Sequence, residues 1–480
     1  MTRLIISILL STFLFCALPI KAQTKDQLYY HLETGITQAG GEHAPLWLTA
    51  NKYGLSSITK NNGYVLAGII QPLKGNERFS YGYGLELATA WNFTSSFIVQ
   101  QAYLDLKWNR FTLSIGSKER APEFANPELS SGALTLSGNA RPIPQVCIGI
   151  DDYYTVPHTN NWLAIRGHFA YGRFTDDNWQ KSFANAMAKR TRDVLYHSKA
   201  FYFRIGNTQK FPMTFEGGLQ METEFGGKQY RNGQVTKFPS KLRDYFEVII
   251  PSAGGSDSPV NDQENIEGNI TGSWHAAITY YANNWKLRGY YEHYFEDHSM
   301  LAVDYPWIDG LYAVELTLPK NPFVSQILYE YMCSRDQTSP TPDKPSVSVC
   351  DNYYNHSMYT GWQHWGMGLG NPLLISPIYN TNGEIYFYDN RVIANHFGIT
   401  GNPTSEISYR LKFSLSRNFG TYSRPYPKKI WQSYTLAEIC YTPTKIPGWQ
   451  FTASYGTDHG KITGNNHGCM ITIRKTGLIK

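Results

Sequence analysis

Ile270-Thr271-Gly272-Ser273-Trp274-His275-Ala276-Ala277-Ile278-Thr279-Tyr280-Tyr281 alternates between two kinds of side chain. Its even positions are Ile270, Gly272, Trp274, Ala276, Ile278 and Tyr280; its odd positions carry Thr271, Ser273, His275 and Thr279. Glu406–Ser416 repeats the rule. Ile407, Tyr409, Leu411, Phe413 and Leu415 fall on one face, and Glu406, Ser408, Arg410, Lys412, Ser414 and Ser416 on the other. Successive side chains of a strand point to opposite sides, so each segment has one apolar and one polar face. The alternation recurs in about eighteen segments between Gln23 and the end of the chain. Such a series predicts an all-β fold, an antiparallel transmembrane outer-membrane β-barrel greasy outside and polar inside.

The first residues form an address. Arg3 supplies a positive flank, Leu4–Leu18 an apolar stretch, and Ile20-Lys21-Ala22 a cleavage site, so 1–22 is expected to be a signal peptide and 23–480 one barrel domain. No later stretch has the ~20 apolar residues of a membrane-spanning helix. Aromatic residues make up 15% of the chain, which suits a barrel whose every second residue meets lipid. The net charge of +5 is small for 480 residues, and no basic stripe or phosphate-binding loop points to nucleic acid or nucleotides.

Connector lengths give an independent sign. Every second link is short, as at 72–77, Asn109-Arg110, 282–284 and 402–404. The alternate links are longer, as at 38–62, 118–142, 174–195, 225–269 and 332–390, with 92–96 as the exception. Short periplasmic turns and long extracellular loops produce this parity, whereas a soluble sandwich has no reason to keep it. The loops at 225–269 and 332–390 are large enough to fold inward, so long extracellular loops are expected to occlude the lumen. Two short helices are expected, within Trp179–Ala188 and Lys241–Ile249, each stable only when packed.

Several runs resemble the Bacteroidota branch of the capsule assembly Wzi family. They are Gly41–Leu55 (GEHAPLWLTANKYGL), Gln100–Leu106 (QQAYLDL), Tyr290–Ser299 (YYEHYFEDHS) and Gly366–Leu373 (GMGLGNPL). The resemblance runs over nearly the whole mature chain and lies in the order of these runs, none of which is a catalytic signature. It implies an eighteen-stranded outer-membrane barrel, blocked at both ends, that binds capsular or other surface polysaccharide as a lectin does. Enteric members carry an N-terminal helical bundle; the residues before Gly63 show no such helical period.

The residues themselves offer several candidate sites. Glu292, His293, Glu296, Asp297 and His298 crowd the end of a strand, a density that suits hydrogen bonding at the rim, a metal or acid–base work, and Glu292, Asp297 and His298 are polysaccharide-binding candidates. Glu292 and His293 face opposite sides, however, so no shared metal ligand set is expected. Trp362, His364 and Trp365 combine indole faces with polar groups in the longest loop and are polysaccharide-binding candidates. The same indoles serve equally as a girdle or as loop core. Tyr422 and Arg424, beside Tyr426, Lys428 and Lys429, are candidates for an acidic polymer. Lys118, Glu119, Arg120 and Arg141, together with Glu123, border or begin the non-strand stretch Ala121–Ala140 and predict a folded-in loop pinned by lumen ion pairs. Cys333 and Cys350 bracket a Pro/Ser-rich loop and are the disulfide candidate, since an exported chain meets an oxidising compartment. Asp458-His459 is a weak echo of a hydrolytic pair, and neither Gly-x-Ser-x-Gly nor His-Glu-x-x-His occurs.

The expectation is therefore a monomeric barrel in outer-membrane lipid that binds surface polysaccharide without turnover, cofactor or metal. A porin or sugar-uptake channel on the same cylinder is the alternative, and an outer-membrane hydrolase the third.

Overall fold

The computed structural model describes residues 27–74, 77–249, 268–296, 308–337 and 350–479; the expected signal peptide, Asp297 and His298 lie outside them. Eighteen antiparallel strands form one sheet that closes on itself. In chain order they are β1 (Tyr29–Gly40), β2 (Asn61–Gln71), β3 (Phe79–Trp91), β4 (Phe97–Trp108), β5 (Phe111–Ser117) and β6 (Gln145–Thr155). Then come β7 (Leu163–Arg173), β8 (Leu195–Ile205), β9 (Met213–Phe225), β10 (Asn269–Tyr281), β11 (Lys286–Glu296) and β12 (Gly310–Thr317). The circuit is completed by β13 (Gln326–Cys333), β14 (Val392–Gly401), β15 (Ile407–Gly420), β16 (Pro425–Tyr441), β17 (Trp449–Gly460) and β18 (Asn466–Leu478). Each strand pairs with its neighbours in sequence, and β1 pairs with both β2 and β18, which removes every sheet edge.

The alternation in the sequence becomes an inside and an outside. Leu32, Ile36, Val65, Ile148, Phe201, Ile278, Val314, Phe397, Phe413, Ile439 and Ile471 form an apolar outer band left 41–59% exposed. Water would penalise such a belt heavily, at roughly 25 cal/mol per Å² of apolar surface, so it marks contact with lipid. Trp108, Phe111, Trp162, Trp285 and Trp449 ring the short-turn end, and Trp91, Phe97 and Trp431 the other, where amphipathic rings suit the membrane interface. No helix among the described residues is long and apolar enough to cross a membrane.

The inward positions are polar and buried, including Glu33, Glu86, Gln101, Asp105, Glu222, Glu330, His396 and Lys412. They are buried because the lumen is filled. Loops 41–60, 118–144 and 350–391 carry Trp47, Leu48, Phe124, Leu129, Leu134, Tyr354, Trp362, Leu373, Leu374 and Phe387 into one apolar cluster. From the wall it takes in Tyr196, Tyr202, Tyr290, Tyr294, Leu311 and Tyr434. The two expected helices form at Asp177–Phe183 and Leu242–Glu247, both packed rather than free-standing.

Candidate functional site

The loop 118–144 is held inside the barrel by carboxylates of the wall. Glu330, on β13, is fully buried and accepts hydrogen bonds from Ser130 Oγ (2.6 Å), Ser131 N (2.7 Å), Ser131 Oγ (2.7 Å) and the Tyr290 hydroxyl (2.6 Å). Glu292, on β11, accepts from the amides of Leu134 (2.8 Å) and Thr135 (3.0 Å) and from Ser273 Oγ (2.8 Å). Glu315 receives Asn126 Nδ2 at 3.1 Å. The loop's carbonyls are met in turn: Lys412 Nζ donates to Ser130 O (3.0 Å), and His396 Nε2 to Leu129 O (2.7 Å). A non-strand loop in a barrel lumen must find partners for its own amides and carbonyls, and charged wall residues supply strong ones.

The second insert, 350–391, packs over the first. Trp362 is fully buried and donates Nε1–H to Thr135 O at 2.6 Å. The Tyr354 hydroxyl donates to Leu134 O, and Asn371 Nδ2 to Ser131 Oγ at 3.1 Å. Gly370 is required by this contact, because a Cβ there would overlap Leu134 O and the Tyr354 hydroxyl. Gln363–His364 and Met367–Gly368 pair as a tiny hairpin around Trp365 and Gly366, both at positive φ (57° and 82°). His364 accepts the Thr175 amide on Nε2 (3.2 Å), so Nδ1 carries the hydrogen and donates to Arg141 O (2.9 Å). Burial holds this imidazole below its usual range, and it acts as a neutral structural bridge. Cavities of about 260 Å³ and 560 Å³ remain between the first loop and the wall.

Above the packed inserts, at the long-loop end, stands a rim of different character. The Arg424 guanidinium lies 5.3 Å from the Tyr386 ring centroid and 5.1 Å from that of Tyr388. The two rings meet edge-on at 5.2 Å. Glu384 pairs with Arg424 at 3.2 Å and also accepts from the Tyr388 hydroxyl. The Tyr388 hydrogen bond, then Arg424, hold the Glu384 carboxyl below its usual range, so this pair is intact at neutral pH and is lost only on acidification through that lowered value. The Arg424 side chain is 54% exposed. Asn352 and Asn382 donate to the hydroxyls of Tyr386 (3.1 Å) and Tyr388 (2.7 Å), fixing both rings. Tyr422 stands nearby with Arg391 stacked 3.8 Å over its ring, and Lys428 and Lys429 are exposed on β16. Fixed aromatic faces beside a cation and amides are the groups that bind pyranose rings, hydroxyls and uronate carboxylates.

No protein-family model and no curated protein matches this chain. Among solved structures it is similar to Wzi of Escherichia coli, described as a carbohydrate-binding β-barrel involved in group 1 capsule assembly. The TM-score is 0.57 at 11% identity, over 92% of this chain and 83% of that one. The chain is an outer-membrane β-barrel. OccK3 of Pseudomonas aeruginosa has TM-score 0.48 at 8% identity (95% and 96% covered). OccAB4 of Acinetobacter baumannii gives 0.48 at 9% (96% and 100% covered). The likeness to Wzi expected from the sequence is present at the level of fold.

In this barrel the long loops lie on the outer face, and the sequence candidates divide accordingly. Arg424 and Tyr422 stand at the long-loop rim, beside Tyr386, Tyr388 and Glu384, which were not foreseen. Trp362 and His364 are buried beneath it, so neither presents a face to a polymer. Trp365 is half-buried with Arg141 4.3 Å over its ring. Glu292 is a plug latch, not a rim ligand. Of the residues expected to form lumen ion pairs, Lys118 pairs with Asp105 at 2.6 Å and Glu123 with Arg166 of β7 at 2.6 Å. Glu119 binds Gln100 Nε2 (2.6 Å), Arg120 binds Ser114 Oγ (3.2 Å), and Arg141 binds Thr94 Oγ1 (2.8 Å). The loop is folded in and pinned both by these two ion pairs and by wall charges meeting its neutral groups, since a backbone amide needs an acceptor and carries no charge of its own. Cys333 and Cys350 are both free, and Cys333 Sγ donates to Asp309 Oδ1 (3.2 Å), so the expected disulfide is not formed. Asp458 faces inward and accepts the Leu46 amide (3.1 Å), whereas His459 is exposed on the opposite face; the two form no dyad.

Proposed function

We propose that the protein is a lectin-like barrel that holds a surface polysaccharide, capsular material included, at the outer face and so supports its assembly or attachment. The observation that carries the reading is the Tyr386–Tyr388–Arg424–Glu384 rim, built rigidly on top of a lumen packed with its own loops. The Escherichia coli protein of the same fold is described as carbohydrate binding, which supports it. Each ring stack or hydrogen bond contributes ~1 kcal/mol, and a repeating polymer multiplies weak contacts through effective concentration. Nothing in this reading calls for turnover, a cofactor or a second subunit. The packed interior counts against the channel reading.

The test is binding of the producing strain's purified surface polysaccharide to the parent and to Tyr386→Ala/Tyr388→Ala and Arg424→Gln proteins. Loss of two ring contacts weakens each bound repeat by about tenfold or more. In cells, the same variants release polysaccharide to the medium while its synthesis continues. Unchanged binding by the double tyrosine variant, with the barrel folded, refutes the assignment.

A further inference from the structure

A crevice of about 880 Å³ opens on the outside of the barrel wall, away from the rim. Its floor is part of the lipid-facing surface. Ile115, Val146 and Tyr171 lie in one row across β5, β6 and β7, Ile115 opposite Val146 and Val146 opposite Tyr171. All three point outward, with Ile115 42% and Val146 50% exposed. Its roof is the outer loop after β7, which brings Lys181, Arg190 and Arg192 over that row beside Arg173. Its side is Tyr245, from the short helix Leu242–Glu247.

That helix is fastened to the outside of the cylinder. Lys199 Nζ, projecting outward from β8, donates to Val248 O (2.9 Å) and Ile249 O (2.6 Å), and the Tyr171 hydroxyl donates to Tyr245 O. Leu242 and Phe246, one turn apart, are left 75% and 64% exposed beside the apolar belt. This places the crevice at the boundary between outer leaflet and water, where such side chains are stable.

The charge of the roof is unbalanced. Arg173 and Arg192 share Asp177 and Asp193, with contacts from 3.7 to 3.9 Å besides the Arg173–Asp193 pair. Lys228 joins Asp193 at 3.8 Å. Arg190 instead stacks on Tyr230 at 4.1 Å, and neither it nor the exposed Lys181 has an acidic partner among the described residues. Four cations, Arg173, Lys181, Arg190 and Arg192, thus line the crevice with one carboxylate, Asp177, and Asp193 just beyond the lining offsets part of their charge, over an apolar floor continuous with the membrane.

We propose that this crevice binds a phosphorylated, acylated glycolipid of the outer leaflet, with an acyl chain along Ile115 and Val146 and a phosphate under Lys181, Arg190 and Arg192. A soluble acidic polymer would use the cations but not the floor, and an ordinary uncharged lipid the floor but not the cations. The site is separate from the sugar-binding rim and would anchor the barrel among glycolipids whichever polymer the rim holds.

The experiment titrates detergent-purified full-length protein with bisphosphorylated lipid A, with dephosphorylated lipid A and with inorganic phosphate, read by native mass spectrometry. Bisphosphorylated lipid A is expected to bind in a single-copy complex, and removal of its phosphates to weaken it by about tenfold or more. Lys181→Gln/Arg190→Gln should reproduce that loss. Single Lys181→Gln, a solvent-exposed change that leaves the fold intact, should produce a smaller one. Failure of lipid A to bind, equal binding of the dephosphorylated form, or unchanged affinity in both variants overturns the proposal. Full competition by inorganic phosphate at matching concentration also overturns it, as an anion site that ignores the floor.

Discussion

Glu330→Ala is the sharpest probe of the plug. In the parent its two oxygens receive four donors: the Ser130 and Ser131 hydroxyls, the Ser131 amide and the Tyr290 hydroxyl. Hydroxyls can rotate toward other acceptors, but the Ser131 amide is fixed by its chain. Each buried donor left unpaired costs about 1–3 kcal/mol, so with two of the four stranded the loop's docking weakens by about 4 kcal/mol. That corresponds to roughly a thousandfold rise in the undocked population. A glutamate-specific protease reports it, because Glu123 and Glu128 lie on the loop. Cleavage of the folded barrel between 121 and 140 should accelerate toward that factor, provided reclosing is fast relative to cutting. In planar bilayers the variant should show conductance steps that the parent lacks. Glu330→Gln, which keeps one acceptor oxygen for the amide, should fall between the two. Parent-like resistance of the Ala variant, with the barrel still heat-modifiable on gels, would show that the wall carboxylates do not hold the loop.

Three further outcomes follow from particular side chains. Burial raises the Glu119 carboxyl to about 7 from its usual 4.5, against the opposing hydrogen bond from Gln100. The folded state thus keeps this proton to higher pH than the unfolded one, so stability falls as pH climbs from about 4.5 to about 7 and then levels; Glu119→Gln should flatten that part of a melting-temperature profile. Trp362→Phe removes the donor to Thr135 O and leaves a gap in the core, a loss of roughly 2–3 kcal/mol visible as lower thermal stability, while polysaccharide binding at low temperature stays near the parent's. Cys333→Ser/Cys350→Ser should migrate like the parent without reductant, and in the folded parent a maleimide should label Cys350 well before buried Cys333; a mobility difference would restore the bridge.

The strands were legible because lipid enforces a strict period. Ile270–Tyr281 lies within β10, and Ile407–Leu415 within β15, with the faces assigned from the alternation. Loop parity was legible for the same reason: turn length follows the side of the membrane. The plug was only half legible. Loop length announced an inward fold, but Glu292 and Glu330 look like any lumen-lining carboxylate, and their partners are backbone amides 158 and 199 residues away, which no side-chain pattern encodes. The sequence left Trp362 open, because an indole in a Gly-rich loop suits a sugar or a core equally well, and it is the core that takes it. Tyr386 and Tyr388 did leave a trace. In Gly383–Asp389 they alternate with buried Ile385 and Phe387, a period-two run that pairs with no strand and so went unread.

The pairing of β1 with β18 joins residues more than four hundred positions apart, clasped inside the wall by Arg474 Nε on Glu33 at 2.6 Å. The cylinder therefore cannot shut until the thirteen residues of β18 have been delivered. Until then both outermost strands expose raw backbone to a solvent that cannot satisfy it. Whatever machinery inserts this protein must shelter two open margins at once and release them together, so a nascent chain stalled short of Asn466 is left as an unsealed ribbon.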